Sequence, residues 1–202
     1  MPRKDVRPRL RLGVETRTDA ILAAATECFS RSSYSDVSVA DIARIADASE
    51  ALVYRYFGTK SALYARLVAQ AVHQLADAQR EAVAALHPNT PVQAKVRAAL
   101  GVYLDHVATH PRTWAAGYDA SGEPPEATAI RATAQRAYVD ALAQMLRPNP
   151  GVRHHYALWG AVGFLNAACL EWVRGGCPPS DRGPVIEASL GALEGALGDW
   201  AA

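Results

Sequence analysis

The sequence is poor in the residue patterns that mark extracellular, membrane and disulfide-rich proteins. Its 202 residues include only three cysteines, Cys28, Cys169 and Cys177, and none forms a C-x-x-C pair. Neither a disulfide framework nor a cysteine zinc site is therefore expected. The longest apolar run, residues 157–170, is interrupted by Asn166 and is shorter than the ~20 residues of a membrane-spanning helix. The first residues are basic and lead into no apolar stretch typical of a secretory signal. These absences predict a reduced, cytoplasmic protein.

Enzyme motifs are missing as well. The sequence contains no G-x-S-x-G, P-loop or G-x-G-x-x-G pattern. His106 and His110 have an i, i+4 spacing that could bind a metal ion, but no H-E-x-x-H motif or nearby cysteine completes a site. A histidine such as His110 at a helix C-terminus is more simply explained by the helix dipole. We therefore expect no enzyme, no metal and no cofactor.

The charge of the chain is small and unevenly distributed. The net charge is +1 overall, but residues 1–17 carry six Lys or Arg against two acidic residues, a local +4. Residues 61–202 carry eleven basic and twelve acidic residues, a local −1. A basic arm in front of a neutral body can steer a protein toward a polyanion, although most basic tails are simply solvated.

The periodicity that is present is helical throughout. No segment shows the sustained alternation of a strand bounded by turn residues. We predict an all-α fold of about nine helices, with three short helices at the front and six in a larger bundle. The predicted helices span residues 17–31, 39–46, 50–57, 60–86, 92–110, 111–118, 125–147, 151–174 and 184–200.

Capping residues predict several helix boundaries. Thr16 and Ser38 are each followed three residues later by Asp, which resembles a capping box at the start of the first and second helices. Ser49 is a natural N-cap for the third helix, and Gly58 is expected to end it. Pro91 is predicted at the first position of the fifth helix, where proline is tolerated.

The second and third helices have the spacing of a helix-turn-helix. They are short, amphipathic and separated by three residues, and in this motif the second helix enters the DNA major groove. On a helical wheel Val53 and Phe57 share the inward face. The outward and flanking side chains are Ala51, Leu52, Tyr54, Arg55 and Tyr56. An arginine can pair with guanine O6 and N7, small or branched apolar groups can meet a thymine methyl, and tyrosine hydroxyls and Lys60 suit phosphate oxygens.

Residues 16–63 resemble the DNA-binding domain of TetR-family transcriptional regulators. The matching residues are Thr16, Arg17, Ile21, Ala24, Ala25, Phe29, Tyr34, Ser38, Val39, Ile42, Ala43, Ala46, Ser49, Tyr54, Tyr56, Phe57, Lys60 and Leu63. The family usually has glycine where this chain has Ser33 and Asp47, and aspartate tolerates the left-handed conformation that glycine supplies. Glu50 stands where the family often has a basic or small residue, and its carboxylate is unfavourable near phosphates unless it accepts from cytosine N4.

The resemblance implies a division of labour along the chain. A basic arm (1–16) would precede a helix-turn-helix DNA-binding domain (17–63) and a ligand-binding and dimerisation domain (64–202). The residues implied to hold phosphates are Ser38, Tyr54, Tyr56 and Lys60, with Arg17 as a further candidate, and those implied to meet bases are Ala51, Leu52 and Arg55. Ser49 could contact DNA or only cap its helix, and Tyr54 and Tyr56 could instead pack against the fourth helix.

The last two helices are rich in small residues. The small residues of the last helix are Ser189, Gly191, Ala192, Gly195, Ala196 and Gly198, and Ala157, Gly160, Ala161 and Ala168 lie in the helix before it. Glycine destabilises a helix interior by ~1 kcal/mol relative to alanine, so this density indicates close packing. We expect a two-fold homodimer through these helices, with a palindromic operator. The alternative is that the glycines pack only within one chain.

Aromatic and mildly polar residues of the second half are candidates for an effector site. Trp114, Tyr118, Tyr138 and Asn166 are typical of a mostly apolar pocket with a few polar anchors, although each could be plain core. The expected effector is a hydrophobic or aromatic small molecule of unknown identity. Together these features predict a dimeric one-component transcriptional regulator, a repressor released from double-stranded DNA by its effector. The alternative is a small all-helical ligand-binding or catalytic protein without DNA binding.

Overall fold

The computed structural model describes residues 14–118, 122–146 and 151–198. These residues form nine α-helices and two short 3-10 turns, and none of them lies in a β-strand, so the expected all-α class is confirmed. The chain divides into two compact units, one up to Leu63 and one from Tyr64 onward. Within the described ranges, every helix is too short or too polar to cross a membrane.

The first unit is built from four helical segments. They are α1 (Val14–Arg31), α2 (Val39–Ile45), α3 (Glu50–Phe57) and the first residues of α4 (Lys60–Ala84). The buried apolar side chains of this unit are Ile21, Ala24, Ala25, Phe29, Val37, Val39, Ile42, Ala43, Ala46, Val53 and Leu63. The 3.6-residue spacing of these positions along α1 and α2 places them on one face of each helix, and burial of that face holds the unit together.

Local side-chain caps fix the ends of α2 and α3. The backbone N–H of Asp41 donates to Ser38 Oγ at 3.1 Å, and that of Leu52 donates to Ser49 Oγ at 3.3 Å, so both predicted N-caps are confirmed. Gly58 ends α3 with φ of 74°, a left-handed value that favours glycine. The capping box predicted at Thr16 is wrong, because α1 already begins at Val14 and Thr16 lies inside it.

The break between α2 and α3 depends on one residue in the left-handed region. Asp47 has φ of 47°, as the substitution of aspartate for glycine led us to expect. Its backbone carbonyl accepts a hydrogen bond from Arg17 Nη1 at 3.2 Å, which ties the turn to α1. Ser33, the other position where glycine is usual, does not have a positive φ. Its hydroxyl donates to the carboxylate of Asp36 at 2.5 Å, so this turn closes without glycine.

The second unit is a larger helical bundle. After the rest of α4 come α5 (Val92–Thr109), α6 (Pro111–Ala115) with a 3-10 turn (Ala116–Tyr118), α7 (Pro125–Leu146), α8 (Val152–Arg174), a second 3-10 turn (Pro179–Asp181) and α9 (Arg182–Leu197). Its buried core comprises Val96, Leu100, Leu104, Val107, Trp114, Val139, Leu142, Ala157, Leu158, Ala161, Val162, Leu165, Cys169, Trp172, Ile186, Leu190, Leu193 and Leu197.

Several predicted boundaries in this unit need correction. Pro91 and Gly151 are N-caps rather than first helical residues, α4 ends two residues before the predicted position, and α9 begins at Arg182 rather than at Pro184. Such shifts of one or two residues are usual at frayed helix ends. The predicted helix ends at residues 147 and 200 lie outside the described residues, as does most of the basic arm.

A buried ion pair joins three segments of the second unit. Arg131 in α7 forms a two-oxygen ion pair with Glu123, with Nη2 to Oε1 at 2.8 Å, and the same Nη2 donates to the carbonyl of Thr113 in α6 at 2.8 Å. Glu123 also accepts from the hydroxyl of Tyr64 in α4 at 2.6 Å. Because this carboxylate is almost fully buried, each of these donors offsets the cost of removing its charge from water.

Gly117 lies directly against this ion pair, and we predict that Gly117→Ala destabilises the protein. An added Cβ would lie 2.6 Å from Arg131 Cδ, so the guanidinium would have to leave its partners. We expect a loss of ~1–3 kcal/mol in the free energy of unfolding, the usual cost of overpacking. Urea denaturation measures it, with Gly183→Ala as control because a Cβ there meets nothing within 4 Å. Equal stability of the two variants would contradict the prediction.

Candidate functional site

Helix α3 presents most of its surface to solvent. Val53 is its one fully buried side chain, at 2% exposure, whereas Tyr54 is 48% exposed and Ala51 and Arg55 are also exposed. The Arg55 guanidinium makes no ion pair or hydrogen bond with any described residue. An unpaired cation at the centre of an exposed helix face is available to an external acceptor such as a base edge or a phosphate.

The side chains that flank this face are only partly exposed. Leu52, Tyr56 and Phe57 are half-buried, so Phe57 is less enclosed than the helical wheel predicts. Glu50, at the start of α3, is exposed. The structure therefore brings together Ala51, Leu52, Tyr54, Arg55 and Tyr56 on the accessible part of one short helix.

The two N-cap serines differ in how far their hydroxyls are engaged. Ser38 Oγ donates to Asp41 Oδ2 at 2.5 Å while it accepts from the Asp41 backbone, and this hydrogen bond lowers the pKa of the Asp41 carboxyl. Its one hydroxyl proton is thus already in use within the chain. Ser49 Oγ accepts from Leu52 N, and its proton has no acceptor among the described residues. Ser49 could therefore cap α3 and still donate to a phosphate.

The two basic candidates outside α3 have partners within the first unit. Lys60 Nζ donates to the carbonyls of Tyr34 at 2.7 Å and Val37 at 2.9 Å, and it lies 4.2 Å from the centroid of the Tyr34 ring. Arg17 donates to Asp47 O, as described above. Lys60 has three N–H donors, so one remains for a phosphate, but its first role in this geometry is to hold the α1–α2 loop.

In the second unit the four predicted effector residues converge on one side chain, Tyr103 of α5. The Tyr103 hydroxyl accepts from Trp114 Nε1 at 3.0 Å and donates to Asn166 Oδ1 at 2.9 Å. The ring of Tyr138 lies 6.2 Å from that of Tyr103, and the ring of Tyr118 lies 4.7 Å from that of Trp114. Burial raises the pKa of the Tyr103 and Tyr118 hydroxyls, so both are neutral at physiological pH.

Helices α8 and α9 pack closely on each other but leave an outward face that none of the described residues covers. On α8 this face carries Tyr156 (68% exposed) and Phe164 (42% exposed). The glycines of the face are Gly160 and Gly163 in α8 and Gly191 and Gly195 in α9, and a Cβ added at any of them would meet nothing within 4 Å. Exposed apolar side chains beside glycine backbone are typical of surfaces through which proteins interact.

The comparisons with known proteins agree with this geometry. A family model of the bacterial regulatory proteins of the TetR family matches residues 21–67. The chain is 27% identical over 192 residues to the HTH-type transcriptional activator FasR of Mycolicibacterium smegmatis, covering 93% of this chain and 85% of FasR. A solved TetR-family regulator of Streptomyces coelicolor superposes with a TM-score of 0.74 at 26% identity, covering 92% of this chain and 80% of that one. Over most of its length the chain is therefore similar to TetR-family transcriptional regulators, and residues 21–67 match the model of that family.

A more distant structure extends the likeness in fold. FadR from Bacillus subtilis, solved in complex with stearoyl-CoA, has a TM-score of 0.66 at 16% identity, with 89% of this chain and 97% of FadR covered. At that identity the likeness concerns the fold alone. The chain therefore shares the architecture of FadR, and the likeness says nothing about which ligand this chain binds.

Sequence reasoning missed the residues that organise these sites. Tyr103 contacts Trp114, Tyr138 and Asn166 of the four effector candidates, yet in the sequence it is one aromatic residue among many. The Arg131–Glu123 pair was not expected, because nothing in the spacing of two charged residues shows that they are buried together. The small residues of the last two helices divide between two faces: Ala161 and Ser189 are buried in the chain, whereas Gly160 and Gly191 face outward.

His106 in α5, which interacts electrostatically with His110 and Arg131, makes the stability of the fold depend on pH. Burial, helped by His110 and Arg131, lowers the pKa of His106 from 6.5 to about 4. The unfolded chain therefore binds this proton first, and the stabilisation present above pH 6.5 is lost as pH falls toward 4. We predict a slope of up to ~1.4 kcal/mol per pH unit in the free energy of unfolding, which His106→Gln should reduce.

Urea unfolding at several pH values between 4 and 7 measures this slope. The exposed His73→Gln variant is the matched control and should retain the wild-type slope. An unchanged slope in the His106→Gln protein would show that His106 does not resist protonation in the folded state.

Proposed function

We propose that this protein is a TetR-family regulator, a cytoplasmic homodimer that represses transcription by binding a palindromic operator and leaves it when a small molecule binds the second unit. The observation that carries the DNA-binding part is the face of α3, where Arg55 is exposed and unpaired next to Ala51 and Tyr54. Exposure of such side chains on a helix that follows a helix-turn-helix break matches the requirements of major-groove reading.

The proposed roles of individual residues follow from their geometry. Arg55 reads a guanine while Ala51 and Leu52 meet base edges, because these side chains occupy the accessible face of α3. The hydroxyls of Tyr54 and Tyr56 hold phosphates on either side. Arg17, Ser38, Ser49 and Lys60 are proposed as additional phosphate contacts. Of these, Ser38, Lys60 and Arg17 also brace the domain, so their loss affects its stability as well as its affinity for DNA.

The outward face of α8 and α9 supports the dimer. Glycines without neighbours at the Cβ position allow two helix pairs to approach closely, and a four-helix arrangement with two-fold symmetry buries Tyr156 and Phe164. These observations weigh against glycines that pack only within one chain. A two-fold dimer places two recognition helices on a palindrome, with half-sites ~34–36 Å apart or a multiple of it.

The direction of regulation and the effector complete the proposal. Repression requires only that the dimer occupy its operator, whereas activation also requires a surface for the polymerase; the relative FasR is named an activator. A ligand at Trp114, Tyr118, Tyr138 and Asn166 releases DNA if it binds the DNA-free conformation more tightly, and the coupling is then reciprocal. Transcription in vitro, with and without the regulator, tests the direction.

Selection of bound fragments from a random DNA pool tests DNA binding and supplies an operator. We predict that affinity for it falls steeply between low and physiological salt, because phosphate contacts release counterions. Arg55→Ala should cost ~1–3 kcal/mol of binding free energy and relax specificity at one position of each half-site. Arg66→Ala, an exposed arginine outside the helix-turn-helix, is the control. Equal loss of affinity on every DNA sequence would contradict base reading by Arg55. If the selection yields no bound DNA, the alternative of a protein without DNA binding is favoured.

A charged side chain on the outward face should prevent dimerisation. Ala167 in α8 and Ala188 in α9 are exposed on this face, and Ala167→Arg and Ala188→Arg each place a cation where two helices are expected to meet. We predict a monomer at micromolar concentration by light scattering, with affinity for the palindromic operator reduced by at least tenfold. Ala141→Arg, in an exposed position of α7, should remain dimeric. A monomeric wild-type protein would rule out the proposed assembly.

A further inference from the structure

The amide of Asn166 is a buried polar group whose oxygen has a hydrogen-bond partner and whose nitrogen has none among the described residues. Asn166 lies in the middle of α8 at 8% exposure, and its Oδ1 accepts from the Tyr103 hydroxyl at 2.9 Å. Among the described residues no acceptor lies within hydrogen-bonding distance of its amide nitrogen. Buried donors are paired in most proteins, and leaving one unpaired is costly. An acceptor supplied from outside the chain would remove that cost.

The groups around Asn166 carry no net charge. Its neighbours through Tyr103 are the indole of Trp114 and the phenols of Tyr118 and Tyr138, and burial raises the pKa of each of these phenols. Arg131 acts electrostatically on Tyr118, but its charge is matched by Glu123. None of these groups therefore offers an unpaired positive charge to a carboxylate or phosphate, and burying such a group without a partner is strongly unfavourable.

The chemistry of the ligand follows from these two observations. The amide nitrogen offers two N–H donors, which suit an uncharged sp² oxygen, and the rings of Tyr103, Trp114, Tyr118 and Tyr138 offer apolar faces and edges to a flat molecule. We propose that this site binds an uncharged aromatic ketone, with the ketone oxygen accepting from the Asn166 amide and the aromatic rings packed on the tyrosine and tryptophan side chains. The proposal rests on the effector site of the proposed function and names its ligand class.

Matched probes test this on the full-length protein by isothermal titration calorimetry. The probes are acetophenone and 9-fluorenone as ketones, ethylbenzene and fluorene as hydrocarbons of similar shape, and phenylacetate and fluorene-9-carboxylate as anions. We expect at least one ketone to bind more tightly than its hydrocarbon, and neither anion to bind as well as its ketone. Asn166→Leu should weaken ketone binding about tenfold relative to hydrocarbon binding, because only the ketone uses the amide N–H donors. The variant also removes the acceptor of the Tyr103 hydroxyl, and that loss affects both kinds of probe alike.

Asn166→Ser, which is too short to reach the same ligand atom, provides a second variant should Asn166→Leu fold poorly, and circular dichroism checks the fold of both. Binding of no ketone, equal binding of anion and ketone, or wild-type ketone affinity in both folded variants would overturn the proposal. Operator affinity is measured on the same proteins. If a ketone binds without releasing DNA, the ketone site is supported and only its role as effector site is contradicted. If the wild-type protein does not bind DNA, the proposed function alone is contradicted.

Discussion

The position of α3, the helix proposed to read DNA, depends on the burial of one apolar side chain, Val53. Helix α3 has eight residues, too few to be stable as an isolated helix in water, and Val53 is its one fully buried side chain. The caps at Ser49 and Gly58 satisfy the backbone at its two ends. Because the other apolar side chains of α3 are at most half-buried, Glu50, Ala51, Tyr54 and Arg55 remain exposed. The small number of buried side chains in α3 is therefore what leaves a large surface of the helix accessible.

The local part of this arrangement could be predicted from the sequence, and the long-range part could not. Ser38, Ser49 and Gly58 act on backbone groups within four residues, so spacing alone places them, and α3 begins and ends where the pattern predicts. Lys60 is different. Its ammonium group donates hydrogen bonds to carbonyls 26 and 23 residues earlier in the chain. In the sequence, a lysine that binds backbone carbonyls cannot be distinguished from one that binds a phosphate. Only the fold distinguishes the two roles.

The second unit shows the same division between composition and arrangement. Composition identified Trp114, Tyr118, Tyr138 and Asn166 as polar or aromatic groups suited to an effector site, and the structure gathers them. The composition could not identify Tyr103 as their common neighbour. The periodicity of a sequence shows on which face of its helix a residue lies, but not which residues of three other helices it contacts. The helices themselves were predictable because proline and glycine mark their ends, with errors of one or two residues where the last turn frays.

The uncovered face of α8 and α9 links the stability of this protein to its concentration. A single folded chain leaves Tyr156 and Phe164 in contact with water, and in the proposed dimer a second chain covers this surface. Mass action then makes thermal stability rise with protein concentration, as for other proteins whose folded form is favoured by association. In a cell that makes few copies, newly synthesised chains that have not yet met a partner are the ones most exposed to proteolysis and aggregation. Below a certain cellular concentration, set by how tightly these surfaces associate, such a protein would therefore be degraded or aggregate before it dimerises.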